Sequence, residues 1–226
     1  MTLNVTKSDV CSSYQKVDRK NKLFKQKNPL QQPLFPPDSS WTPPEVLPDI
    51  SNAKEIAVDL ETWDPNLKSK GAGWCRGDGH VVGIAVAVDG WSGYLPIRHR
   101  AGGNLDENVV FNWLKKALST DAKKICHNAS YDIGWLKREG IEIKGQLIDT
   151  MVAAPLINEN RFSYALNALG KEYLKEKKDE ALLRDAAEAW GVDAKADLYQ
   201  LPPMYVGPYA EQDAELTLKL WNWQKS

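Results

Sequence analysis

The chain has 226 residues, 42% of them hydrophobic and nine of them tryptophan, which suits one globular domain with an appendage and excludes a wholly disordered protein. Cys11, Cys75 and Cys126 are too few and too scattered for a disulfide framework or a Cys-x-x-Cys zinc site, so a reducing compartment is expected. The net charge of −1 hides an asymmetry: residues 1–28 carry seven Lys or Arg against Asp9 and Asp18, a balance of +5, leaving about −6 for the remainder.

No charged n-region leads into an apolar h-region at the start, and nowhere do eighteen apolar residues run together, so neither a secretory signal nor a membrane span is expected. The basic leader either attracts nucleic acid or is a solvated tail. Residues 28–47, NPLQQPLFPPDSSWTPPEVL, hold six prolines, which remove the backbone donors that helices and central strands need. The expected division is a leader over 1–47, basic and then proline-rich, extended or disordered, followed by a domain over 48–226.

From Lys54, KEIAVDLE alternates: Ile56, Val58 and Leu60 face one way, Ala57, Asp59 and Glu61 the other. This predicts a strand with two carboxylates on one face. The glycine-rich stretch KSKGAGWCRGDG leads to HVVGIAVAVDGWSGYLPI, two apolar runs about Asp89-Gly90 that predict a hairpin. LDENVVFNWLKKAL has helical spacing, KKICH reads as a short strand, and NASYDIGWLKREG reads as a second helix ending at Gly140. The apolar run LIDTMVAAPLIN precedes two amphipathic helical stretches, FSYALNALGKEYL and DEALLRDAAEAWG. Asp149 is expected to cap a helix beginning at Thr150, or else to stand near a site. A last helix is expected to start at Pro208 and run through YAEQDAELTLKLWNW. The order β-β-β-α-β-α followed by helices describes an α/β domain, a mixed sheet with helices packed against it.

Three acidic groups recur in this frame. Asp59 and Glu61 share a strand face. Asn128 can cap a helix whose first turn carries Asp132, where the helix dipole by itself favours an acid. Tyr209 and Asp213, four residues apart, are neighbours on one helical face, whereas Glu211 points elsewhere. DLET at 59–62, NASYD at 128–132 and YAEQD at 209–213, in that order, resemble the 3′-to-5′ proofreading exonuclease domain of family A DNA polymerases, within the DEDD exonucleases of RNase H-like fold. The resemblance covers roughly Pro48 to the end, and Tyr209 places it in the branch with tyrosine in the third motif.

The resemblance implies hydrolysis of DNA from a frayed or single-stranded 3′ end to nucleoside 5′-monophosphates, with two divalent ions, Mg²⁺ or Mn²⁺, held by oxygen ligands. Asp59, Glu61 and Asp213 would hold the first ion, Asp59 would bridge to the second, and Asp132 would support the second through water. Tyr209 would orient the attacking water. Thr62 and Asn128 match positions that contact the terminal nucleotide, and Tyr131 would pack or brace Asp132. Trp63 and Trp74 would stack on bases or else pack locally, and Lys68, Lys70 and Arg76 would meet phosphates or else solvent. His80, His99 and His127 lack metal-ligand spacing and read as structural or surface residues. Gly71, Gly73, Gly77 and Gly79 form no phosphate-binding fingerprint. A bacterial or phage-infected cytoplasm is the implied setting. Thirteen residues follow Asp213, so a free-standing exonuclease, split from a polymerase that could dock as a partner, or a fragment of one is expected. The alternatives are an exoribonuclease of the RNase D type, acting on RNA, and a non-catalytic nucleic-acid-binding module.

Overall fold

A computed structural model of the protein describes residues 32–226; the basic leader lies outside the described residues. Alternation makes β1 (Glu55–Trp63), and the hairpin is β2 (His80–Val88) and β3 (Trp91–Pro96), with one helical turn, α1 (Leu67–Lys70), in the loop before it. Then come α2 (Glu107–Leu118), β4 (Lys123–Cys126), α3 (Ala129–Arg138), β5 (Leu147–Asp149), α4 (Thr150–Ile157), α5 (Leu166–Leu169), α6 (Ala181–Trp190) and α7 (Pro203–Gln224). The five strands form one sheet in the order β3-β2-β1-β4-β5. The β1–β2 and β2–β3 pairs are antiparallel, and the β1–β4 and β4–β5 pairs parallel. The mixed sheet therefore carries its acidic strand at the centre.

Both faces of that sheet are covered, which is why β1 is buried on both sides. Ile56, Val58 and Leu60 face a core completed by Val110 and Leu114 of α2 and Trp135 and Leu136 of α3. The other face is built of small residues, Ala57, Ala85 and Ala87, with Tyr94, and meets Ala186 and Trp190 of α6 and Val206, Ala210 and Ala214 of α7. Alanine on both sides of that contact lets α7 lie close across β1, β2 and β3. Gly83, opposite Glu61 in the ladder, continues the pattern: a Cβ there would stand 2.1 Å from the Tyr94 hydroxyl. The outer edge of β3 is tied to the same helix, the Tyr94 amide donating to Glu211 Oε1 at 3.0 Å and Ser92 Oγ to Glu215 Oε1 at 2.5 Å.

The last helix begins at Pro203, five residues earlier than expected, and Pro208 lies inside it. A proline there cannot donate to the carbonyl of Met204 one turn back. Ser39 supplies the missing donor, its hydroxyl reaching Met204 O at 2.8 Å, and Tyr205 donates to Pro37 O at 3.0 Å. Trp41 lies against Gly207, where a Cβ would come within 2.2 Å of the indole. The proline-rich stretch is thus draped over the N-terminal half of α7. FSYALNALGKEYL, expected as one helix, is α5 followed by a π turn over Gly170–Leu174 that stacks Tyr173 on Trp223 at 3.9 Å. Among the described residues no helix is long and apolar enough to cross a membrane.

Candidate active site

The central strand and the last helix converge at one point. Asp59 and Glu61 leave β1 on the alanine face, Asp213 leaves α7 toward them, and one carboxylate oxygen of each lies within 4.8 Å of the other two. Glu61 and Asp213 are buried and Asp59 is half-buried. The ladder of β1 with β2 shifts register between Glu61 and Thr62, a bulge that re-aims the strand just past the acids. Asp132 is buried in the first turn of α3 and is not one of the three. It stands near enough that the charge on Asp59 raises its pKa.

Crowding of acids out of water sets the electrostatics. Burial, then the charge of Asp213, pushes the Asp59 carboxyl from its ordinary 3.8 up to about 7. Burial, then Asp59, drives Glu61 and Asp132 well above the usual carboxylate range. Asp213 is raised by burial against the pull of Lys178. Burial, and after it the charge of Glu61, pushes the Tyr209 phenol far above its ordinary value, so its hydroxyl keeps its proton. Asp213 Oδ1 is buried with no hydrogen-bond partner. Clustered hard oxygens whose charge one lysine offsets only in part, together with an orphaned carboxylate oxygen, are the donor set that Mg²⁺ or Mn²⁺ takes, so these residues fit a divalent cation.

The expected substrate contacts fare differently. Thr62 Oγ1 pairs with the Tyr131 hydroxyl at 2.9 Å, and that hydroxyl also lies 3.2 Å from Asp64 Oδ2, so Tyr131 braces Thr62 and the following loop instead of Asp132. Asn128 does not cap α3 with its side chain: it adopts the left-handed conformation, φ 77°. The cap is Asp149, which accepts from the amides of Asn128 and Ala129 at 3.0 and 2.8 Å and also from those of Met151 and Val152. One carboxylate so finishes two helices, α3 and α4.

Trp63 packs between His80 and Tyr199, with ring centroids 5.3 Å away in each case, and Trp74 lies against Gly134 of α3 with its outer face open. Arg76 is spent on the loop itself, donating to the carbonyls of Lys70, Gly71 and Ala72 and pairing with Asp78. Lys68 and Lys70 are exposed. His99 is structural: it is buried, hydrogen-bonds the Tyr94 hydroxyl and Leu201 O at 2.7 and 2.8 Å, and is pushed down to about 4 by burial. His127 likewise bonds Thr150 and the Tyr164 carbonyl.

One residue at the site carries no signal in the sequence. Lys178 Nζ lies 2.5 Å from Asp213 Oδ2 and 3.3 Å from the Tyr209 hydroxyl. In the run KEKKDE nothing local separates it from Lys175 or Lys177, which are exposed.

A family model described as 3′-5′ exonuclease matches residues 37–223. A DNA-directed DNA polymerase of Pseudomonas phage M6 is 41% identical over 199 residues, covering 84% of this chain and 30% of that protein. DNA polymerase I of Pseudomonas aeruginosa is 30% identical over 189 residues, 79% of this chain and 19% of the relative. The chain thus spans under a third of the length of these polymerases. Among solved structures, Trypanosoma brucei RNase D in complex with GMP aligns with a TM-score of 0.55 at 18% identity, over 76% of this chain and 51% of that one. Brucella melitensis NrnC with bound Mg²⁺ aligns with a TM-score of 0.51 at 22% identity, over 79% and 76%. These structural likenesses are of fold, the RNase H-like mixed sheet flanked by helices. By its match over residues 37–223 and its polymerase relatives, the chain belongs to the 3′-5′ exonuclease family of family A DNA polymerases.

Proposed function

We propose that this domain proofreads: it hydrolyses the last phosphodiester of a frayed or single-stranded DNA 3′ end, releasing a nucleoside 5′-monophosphate and leaving a 3′ hydroxyl on the shortened strand. The convergence of Asp59, Glu61 and Asp213 from the central strand and last helix, with the Tyr209 hydroxyl beside Asp213, carries the reading. Asp59, Glu61 and Asp213 would hold one divalent cation, and Asp132 would help hold a second. Mg²⁺ or Mn²⁺ held there would supply activation of water and neutralisation of charge on the phosphate and the departing oxygen.

The chain's own groups do the rest. Tyr209, its phenol pushed up by burial and then by the charge of Glu61, keeps its proton and orients the incoming water through its hydroxyl without serving as a base. Thr62, next to Glu61 on β1 and fixed by Tyr131, and Asn128, at the start of the helix that carries Asp132, would contact the terminal nucleotide. Trp63 is held by His80 and Tyr199, so it would offer a fixed edge instead of a free platform. A polymerase, on the same polypeptide or a separate one, is the partner that the phage and bacterial relatives suggest, and a bacterial or phage-infected cytoplasm the compartment. Trimming of 5′-labelled DNA and RNA strands of one sequence, with Mg²⁺, tests the substrate class. Stepwise shortening from the 3′ end, faster on DNA, is expected; faster loss of RNA would overturn the DNA assignment, and loss only from the 5′ end the direction.

A further inference from the structure

A cation already sits against the carboxylate cluster, and it belongs to the chain. The Lys178 ammonium touches Asp213 at 2.5 Å and stands 4.5 Å from the centroid of the Tyr209 ring. Its side chain is only 8% exposed. The placement is built from both sides of the residue. Gln212, next to Asp213 on α7, accepts from the Asp179 amide at 2.7 Å and donates to Lys177 O at 3.4 Å, while Asn167 Oδ1 accepts from the Lys178 amide at 3.3 Å. Lysine keeps its entropy when it is left in water, so a head turned inward on a backbone pinned at Lys178 and at the residues on either side of it needs a reason.

The acids supply one. Three carboxylates within 4.8 Å repel one another where water is scarce, and one ammonium offsets part of that charge. It reaches only one oxygen of Asp213, leaving Oδ1 without a partner. A divalent ion seeks the same carboxylate with twice the charge.

We propose that Lys178 is the resident counter-ion of the metal-free site, and that divalent cations load by displacing its ammonium from Asp213. This rests on the cluster being the cation site. Lys178 then has two opposed effects: it stabilises the empty domain, and it raises the cation concentration at which the site fills. Two cations that exclude each other from one carboxylate weaken each other reciprocally. A lysine with a merely structural role would have only the first effect.

Mn²⁺ binding, read from the resonance of the free ion, and thermal unfolding in chelator separate these on the whole chain. Lys178→Met, which keeps the length of the side chain and loses the charge, should unfold at lower temperature in chelator yet bind Mn²⁺ about fivefold tighter or more. Lys178→Arg, which keeps the charge, should stay near wild type in both. Mn²⁺ affinity that is unchanged or weaker in Lys178→Met overturns the exchange. In the wild-type protein, acylation of the Lys178 amine, followed by mass spectrometry, should be slow in chelator and faster with Mg²⁺; equal or slower labelling with Mg²⁺ also overturns it, whatever becomes of the variants. If wild type binds no Mn²⁺ at all, the cation site itself is wrong and the exchange falls with it. If wild type binds Mn²⁺ and Lys178→Met binds it no tighter, only the exchange falls.

Discussion

Asp59 holds a proton up to about pH 7 because it is desolvated and faces the charge of Asp213. In the metal-free domain this carboxyl binds more protons folded than unfolded between its ordinary 3.8 and about 7, so its contribution to stability declines as pH rises through that window and is lowest above it. Divalent cations bind the ionised form, so loading relieves the cost and must displace protons at low pH. The rise in unfolding temperature given by Mg²⁺ over chelator should therefore grow from about pH 5 to 8. His99, held down near 4, acts in the opposite sense, but it is the same with and without metal. A metal-induced shift that is flat across this range would contradict the assignment of Asp59. Tyr209 gives a second residue-scale expectation. Tyr209→Phe keeps the ring under Lys178 and loses the hydroxyl proposed to orient the water, so turnover should drop about a hundredfold while Mn²⁺ affinity stays within about twofold. Equal loss of both would make the hydroxyl a support for the carboxylates instead.

At the scale of elements, what could be read from the sequence was what neighbours in the chain decide. The alternation of Ile56, Val58 and Leu60 with Ala57, Asp59 and Glu61 defined β1 and its two faces, and the spacing of Tyr209 and Asp213 defined a face of α7. Where a distant group intervenes, local rules misled. Pro208 looks like a helix start, and sits mid-helix because Ser39 meets the carbonyl it leaves unpaired. Asn128 looks like a cap, and the cap is Asp149 from the end of β5. Since that carboxylate finishes α3 and α4 together, Asp149→Ala should cost about 2 kcal/mol, roughly twice an ordinary cap. Urea denaturation measures it, and a loss under about 0.5 kcal/mol would mean that water replaces the cap at both helices. Lys178 was illegible for the same reason: its side-chain partners Tyr209 and Asp213 lie 31 and 35 residues along the chain.

Across the whole molecule, one design choice in the sequence positions the chemistry. Branched aliphatic residues fill one face of the sheet, and alanines line the other, so the last helix settles close over the central strand and brings Asp213 to Asp59 and Glu61. The proline-rich stretch then locks the N-terminal half of that helix through Ser39, Trp41 and Tyr205. The three acidic motifs were legible because each sits on an element that local pattern defines, although their meeting depends on strand order, which the structure supplies. The most direct test uses 5′-labelled single-stranded DNA, Mg²⁺, and wild type beside Asp59→Ala. A ladder of products shortened one nucleotide at a time from the 3′ end is predicted, absent in chelator and slower by about a thousandfold in the variant. Undiminished trimming by Asp59→Ala, or by wild type in chelator, would contradict the account.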